Sequence, residues 1–355
     1  MTTSITVDEL HARLKCFPRA PLAYLPTPLD DAPRVSRALG GPRIVIKRDD
    51  LTGLALGGNK TRKLEFLMAD AMQKGADTIV TTAAAQSNMC RQTAAAARKL
   101  GLDVVLILRG DEREEIQGNL LLDKIFGAQI HFIQITDPYS DVSTQKMQKV
   151  ADDLARAGKR PYIIDLRTTS APLAVLGYVA GALELSEQLE QRGIAPSHIF
   201  LATGSGGTQA GVLLASEMLG ARWKIQGISV QRPADEMRER VARKVREAAA
   251  QLSFASAIKP RDVLVDDDYI GPAYGVTTQA GVDAMSLVGR TEGLVMDPTY
   301  SGKSFAGLIG HIRQKRLSTD DTVVFIHTGG APGLFAHAAS VSEQLTVHCL
   351  MGQHT

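Results

Sequence analysis

The segment GSGGTQAG, residues 204–211, lies between an apolar run, HIFLAT, and a helical stretch. Glycines in such a place let backbone N–H groups converge at a helix N-terminus, where the helix dipole also favours an anion, so the segment suits a phosphate. Thr203, Gly204, Ser205, Gly206, Gly207 and Thr208 are the candidate contacts, the hydroxyls of Ser205 and Thr208 adding donors. A tight strand-to-helix turn asks for the same glycines on dihedral grounds alone. The third glycine comes too late for the GxGxxG of dinucleotide folds, and no GK[ST] follows as a Walker loop requires.

A second segment, GGNKTRKLEF, places Lys60 behind two glycines at a helix start. The positive end of the helix dipole and the neighbouring Arg62 and Lys63 disfavour the charged form, which leaves an amine able to attack an aldehyde. With 40 Lys and Arg in the chain, an ordinary surface lysine reads the same in isolation. An amine paired with a phosphate cradle, however, meets the two demands of pyridoxal phosphate. In AAAQSNMCRQ, Gln86, Ser87 and Asn88 supply donors where a ring oxygen or a substrate carboxylate could lie, and equally a polar N-cap. Tyr300 sits beside Ser301 in a turn, and Thr328 ends the run TVVFIH before two glycines. A hydroxyl there can face a cofactor or cap a turn. His327 reads as a packed strand residue, and eight histidines without paired spacing give no metal site.

These groups need elements to hold them. From RIVIKR onward, short apolar runs (DTIVTTA, DVVLILR, QIHFIQI, PYIIDL) alternate with helical stretches, and a second series follows through LGYVAGALELSEQLEQRG, HIFLAT and KIQGISVQ. Such alternation predicts an α/β chain with two parallel sheets covered on both faces and a site at the strand carboxyl ends. In TRKLEFLMADAMQKG the spacing puts Leu64, Leu67, Met68 and Met72 on one face, with Gly75 as the stop. PADEMRERVARKVREAAAQL reads as a helix with a solvated, charged face.

The 355 residues suffice for one large or two modest domains. A formal charge of +2 gives no nucleic-acid or anionic-membrane footprint, and no apolar run reaches membrane-spanning length. Cys16, Cys90 and Cys349 offer no disulfide framework, which points to a reducing cytoplasm.

The segments KRDDLTGLALGGNKTRKLEFL, AQSNMCRQTAA, LGYVAGALE, ATGSGGTQAG, DDDYIGPAYGV, RTEGLVMDPTYSGKS and FIHTGGAPGLF, in this order across about residues 17–335, resemble the fold-type-II pyridoxal-phosphate enzymes. The likeness is to the group of 1-aminocyclopropane-1-carboxylate deaminase, D-cysteine desulfhydrase and L-cysteate sulfo-lyase. It implies a homodimer of two-domain chains, with a large domain of residues 1–58 plus 169–355 and a small one of 59–168. It also implies Lys60 as the Schiff-base lysine that moves the Cα proton, and Asn88 as partner of the ring oxygen. Ser87 would contact the substrate carboxylate, Ser205 to Thr208 the phosphate, and Thr328 the pyridine nitrogen. Tyr274 and Tyr300 would line the substrate pocket.

Ser301 and Thr328 stand where the deaminase pattern has Glu and Leu, which matches the sulfur-lyase members and argues against cyclopropane opening. Ala84 and Met89 replace a usual glycine and histidine, and Arg167, Thr168 and Thr169 replace small residues. Arg167 would suit a sulfonate, or point outward from its loop. The expectation is α,β-elimination of a small β-sulfur amino acid, of the D-cysteine or L-cysteate type, to pyruvate, ammonia and sulfide or sulfite. β-Replacement, racemisation or deamination of another small amino acid is the alternative on the same scaffold. A binding protein without a cofactor, or a nucleotide enzyme using GSGGT, would be indifferent to Lys60.

Overall fold

The computed structural model describes residues 4–113, 115–135 and 141–351, the last six by backbone alone. In chain order the elements begin with α1 (Val7–Lys15), β1 (Leu29–Asp31), α2 (Pro33–Leu39), β2 (Arg43–Lys47) and α3 (Lys60–Gln73). There follow β3 (Thr78–Ala84), α4 (Asn88–Lys99), β4 (Asp103–Arg109), α5 (Gly118–Ile125), β5 (Gln129–Ile133), α6 (Val142–Arg156) and β6 (Pro161–Ile164). The chain continues with α7 (Ala171–Gln191), β7 (His198–Thr203), α8 (Gly207–Leu219), β8 (Lys224–Ser229), α9 (Ala234–Gln251) and β9 (Leu264–Asp266). It ends with α10 (Gln279–Glu292), α11 (Ser301–Arg313), β10 (Thr322–Ile326), α12 (Ala331–Ala336) and α13 (Ala338–Met351).

Two sheets form. One has the order β1-β2-β10-β7-β8-β9, parallel throughout except for the short edge strand β1. The other has the order β5-β4-β3-β6 and is wholly parallel. The central strands are nearly unbroken apolar runs because helices cover both faces. One core lies between α7, α8, α9 and the larger sheet, and another fills the space around the smaller sheet. Ala20 and Leu22, from the N-terminal segment, pack into that second core. No helix among the described residues is long and apolar enough to cross a membrane.

Three elements depart from the periodicity reading. Helix α3 packs against both α4 and α7, so Thr61 through Ala69 are buried on all sides. Leu64, Leu67 and Met68 are inside as expected, but Met72 is 48% exposed where the last turn emerges. Helix α7 begins at Ala171, five residues ahead of the apolar segment that announced it, with Pro172 in its first turn. Helix α9 has its solvated face, yet also a buried stripe of Met237, Val241, Val245 and Ala248, and it buries Lys244.

Candidate active site

The carboxyl ends of β3, β4, β6, β7, β8 and β10 converge on a cavity of about 510 Å3 between the two sheets. Its wall at β7 is the loop from Thr203 to Thr208. Gly206 takes φ of +83° as N-cap of α8, and α9 backs it so closely that a Cβ there would lie 3.0 Å from Val241 Cγ2. A Cβ on Gly207 would stand 3.3 Å from Lys63 Nζ. No described group accepts from the amides of Ser205, Gly206, Gly207 or Thr208. Open N–H groups at a buried helix start, with an amine beside them, are a fitting cradle for a phosphate. Thr203 lines the cavity as well, but its hydroxyl is used in donating to Gln209 Oε1 at 2.8 Å.

Lys60 opens α3 and lines the same cavity. Enclosure by the cleft walls pushes its amine down to about 8, against the partial opposition of Asp297. Its Nζ donates to Asn59 Oδ1 at 3.1 Å and stands 5.9 Å from the Tyr300 ring centroid. Asn59 also donates from Nδ2 to Thr208 Oγ1 at 3.1 Å and from its backbone N–H to the Thr328 carbonyl at 3.0 Å. One side chain thus registers the lysine against the glycine loop. The turn before it needs glycine: a Cβ on Gly57, at φ of +68°, would fall 1.9 Å from the Asp50 carbonyl oxygen. Lys63 is fully buried one helical turn along, and burial, aided by the charges of Lys60 and Lys244, holds its amine well below the ordinary lysine range.

At the end of β3, Ser87 caps α4 by accepting from the N–H groups of Met89 and Cys90 at 3.1 and 3.3 Å, and it lines the cavity as well. With its lone pairs so used, its O–H is left to donate outward. Asn88 Oδ1 accepts from Asn119 Nδ2 at 3.0 Å, a bond that leaves the Asn88 amide N–H groups for the cavity. On the opposite wall, the hydroxyls of Tyr274 and Tyr300 lie 2.5 Å apart. Burial raises both phenols above their usual range, so both stay protonated. Thr328 lines the cavity just past β10, while His327 packs inward with Nε2 2.9 Å from the Val295 carbonyl.

Three expected contacts sit differently. Gln86 is absent from the cavity wall; it donates to the Gln117 carbonyl at 3.1 Å and accepts from Asn119 N at 2.9 Å, so it braces α5. Ser301 is fully buried behind the wall, its Oγ donating to Asp297 Oδ1 at 2.7 Å. Asp297 in turn accepts from the backbone N–H groups of Thr299, Tyr300 and Ser301, which fixes the Tyr300 turn. Arg167 does reach the cavity wall, but its guanidinium bonds Asp165 and Thr144. Residues not singled out from sequence complete the site: Asn59, Lys63, Asn119 and the arginines 109, 232 and 240. Arg109 was legible as the last residue of a predicted strand, and Lys63 as the i+3 neighbour of Lys60.

A low-pKa lysine facing an open glycine cradle between two mainly parallel sheets defines a pyridoxal-phosphate enzyme of fold type II. The family model described as pyridoxal-phosphate dependent enzyme matches residues 20–329, and the chain belongs to that family. It is 43% identical over 326 residues to a D-cysteine desulfhydrase of Salmonella newport, covering 90% of this chain and 96% of that one. A solved structure titled as an ACC deaminase homologue superposes with a TM-score of 0.86 at 38% identity, covering 95% of this chain and 99% of that one. The processed form of threonine deaminase isoform 2 from Solanum lycopersicum shares the fold at a TM-score of 0.67 and 17% identity, over 98% of this chain and 91% of its own.

Proposed function

We propose that the protein is a pyridoxal-phosphate-dependent carbon–sulfur lyase. It removes the β-sulfur group of a small amino acid by α,β-elimination, releasing pyruvate, ammonia and sulfide or sulfite. The observation that carries the reading is Lys60, a cavity-facing amine lowered to about 8 and tied through Asn59 to the glycine loop. The 43% identity to a D-cysteine desulfhydrase supports the choice of sulfur chemistry.

The cofactor, when bound, supplies an aldehyde for an amine and a ring that accepts electron density from Cα. The amides of residues 205–208, with Lys63 Nζ beside them, would hold its phosphate. Asn88, oriented by Asn119, would donate to its ring oxygen. Thr328, on the cavity wall, would serve the ring nitrogen; a hydroxyl there would not enforce a protonated ring, which suits elimination. Ser87 and the start of α4 receive the substrate carboxylate. Lys60 Nζ, neutral in useful proportion near pH 8, takes the Cα proton. In the tyrosine pair one hydroxyl donates to the other, which leaves one O–H to orient or protonate the departing sulfur.

The same reading divides the chain into a large domain, residues 1–58 plus 169–355, and a small one, 59–168, within which the whole four-stranded sheet falls. It also takes the chain as a cytoplasmic homodimer. Free Cys16 and Cys90 suit a reducing compartment, and the exposed Ile116, Leu121, Ile125 and Phe335, on and beside the adjoining α5 and α12, offer apolar surface to a second copy. Light scattering should give twice 38.1 kDa. The test of the activity is the absorbance of natively purified protein near the Schiff-base band together with pyruvate release from D- and L-cysteine and D- and L-cysteate. Lys60→Ala should abolish both signals; a wild type with no such band would end the proposal.

A further inference from the structure

Four consecutive residues just ahead of Asn59 and Lys60 have positive φ: Ala55 at +47°, Leu56 at +68°, Gly57 at +68° and Gly58 at +123°. That region is unfavourable for alanine and leucine, and Leu56 is exposed, so packing of its side chain does not hold it there. The turn is held instead from α4. Arg91, fully buried, donates from Nη1 to the Ala55 carbonyl at 2.6 Å and from Nη2 to the Gly57 carbonyl at 3.0 Å. Gln92, also fully buried, donates from Nε2 to the same Gly57 carbonyl at 2.9 Å and accepts at Oε1 from Thr61 Oγ1 at 2.7 Å. These two side chains grip the chain on both sides of Lys60. No carboxylate among the described residues bonds the Arg91 guanidinium, whose Nε is unpartnered. Burying a cation with only carbonyl acceptors is costly, and here its effect is to fix one turn. The same stretch of α4 meets the cavity through Ser87, Asn88 and Met89, and the Arg91 N–H donates to the Ser87 carbonyl at 3.2 Å.

We propose that Arg91 and Gln92 are positioning residues that fix Lys60 relative to the start of α4, and that this spacing selects which enantiomer of the substrate loses its Cα proton. The inference rests on the elimination reading above and deepens it. At Cα the nitrogen is directed by the cofactor and the carboxylate by Ser87 and the first turn of α4. The two remaining directions belong to the hydrogen and the side chain. With Nζ held on one side, one enantiomer turns its hydrogen to the amine and the other turns its β-carbon there. Slack in the clamp blurs that difference, because Nζ then no longer keeps one distance and angle to a carboxylate seated on α4.

The experiment compares the holoenzyme with its Arg91→Lys and Gln92→Met variants. Lysine keeps the charge but cannot span both carbonyls, and methionine removes the Gln92 arm while leaving Arg91 in place. Proton NMR in D2O follows loss of the Cα hydrogen from D- and L-alanine, which carry no leaving group, so proton removal is read apart from elimination. The wild type should exchange one enantiomer faster. That ratio should fall about tenfold or more in Arg91→Lys and less in Gln92→Met, as the faster enantiomer slows. Equal slowing of both enantiomers is what a merely structural role gives and overturns the proposal, as does an unchanged ratio or a wild type that does not discriminate. In apoprotein, the pH at which pyridoxal-phosphate incorporation levels off should rise in both variants, because an amine freed from its turn meets more water. A level-off that does not move also overturns it. Pyruvate release from D- and L-cysteine is measured alongside. If none appears while exchange is selective in the wild type and relaxed in the variants, the elimination reading fails and the clamp stands.

Discussion

Lys60 is an ordinary residue in an unusual place. Its amine is drawn down to about 8 chiefly by enclosure, with Arg91 adding to the effect and Asp297 opposing it. Only the neutral amine attacks an aldehyde, so the shift decides how fast the cofactor is taken up. At pH 7 about a tenth of such an amine is neutral, against roughly one part in several thousand for an unperturbed lysine. The direction follows: below the folded pKa, each unit of pH removes most of the remaining neutral amine. The rate of pyridoxal-phosphate incorporation into apoprotein should climb about tenfold from pH 6 to 7 and level off above pH 8. Stopped-flow absorbance of the growing band measures it, and a plateau delayed to pH 10 would show that Lys60 is not enclosed in solution. Sequence pointed to the direction of the shift but assigned it to the helix dipole, Arg62 and Lys63. The cause in the fold is enclosure, with Arg91 adding to it, because walls from β7, β10 and the Tyr300 turn close around the amine.

Between elements, the position of Lys60 depends on how closely α3 approaches α7. Gly177 makes the approach possible: a Cβ there would lie 2.4 Å from the Arg62 carbonyl oxygen and 2.8 Å from Lys63 N. Those are backbone atoms two and three residues from Lys60, and they cannot move aside as a side-chain end could. Gly177→Ala should therefore cost about 2 kcal/mol of stability and push the first turn of α3 toward the cavity. The expected signature is a lower Tm together with weaker cofactor retention on dialysis. A fall in Tm alone would place the displacement in α7. The strands and helices themselves were legible in the sequence, because parallel strands covered on both faces must be apolar runs and the helices between them amphipathic. The contact of α3 with α7 was not. The motif KTRKLEF reads as the start of a helix with one apolar face, whereas Arg62, Lys63 and Glu65 on its other sides are buried too, with Arg62 and Glu65 satisfied by groups distant in sequence. Likewise the sequence leaves Arg167 either a pocket cation or a loop residue pointing outward, and only the folded chain shows it on the cavity wall with Asp165 and Thr144 already holding it.

At the scale of the whole molecule, one buried ion network joins the lysine helix to the larger sheet. Arg62 on α3 bonds both oxygens of Asp49, at 2.9 and 2.8 Å, and both of Glu184 on α7, at 3.0 and 2.8 Å. Lys47 at the end of β2 meets Glu184 at 2.5 Å, and the Tyr178 hydroxyl donates to Asp49 at 2.6 Å. Burial alone would raise the carboxyls of Asp49 and Glu184, but Arg62 and Lys47 hold both below the usual range. Such depressed groups stabilise the fold above their unfolded pKa of about 4 and lose that contribution as pH falls through the folded value. Arg62→Leu reverses the balance for Asp49, whose carboxylate remains buried with only Lys47 as a cation. Removing one partner of a buried pair costs about 3–5 kcal/mol, so the variant should unfold well below the wild type at pH 7. Acid should then narrow the gap, since protonating Asp49 relieves its uncompensated charge in the variant, while the depressed carboxyl of the wild type stays ionised over the same range. Thermal unfolding of both proteins between pH 7 and 4.5 measures this. A gap that stays constant over that range would mean that Arg62 holds α3 to the larger sheet by packing, not by charge.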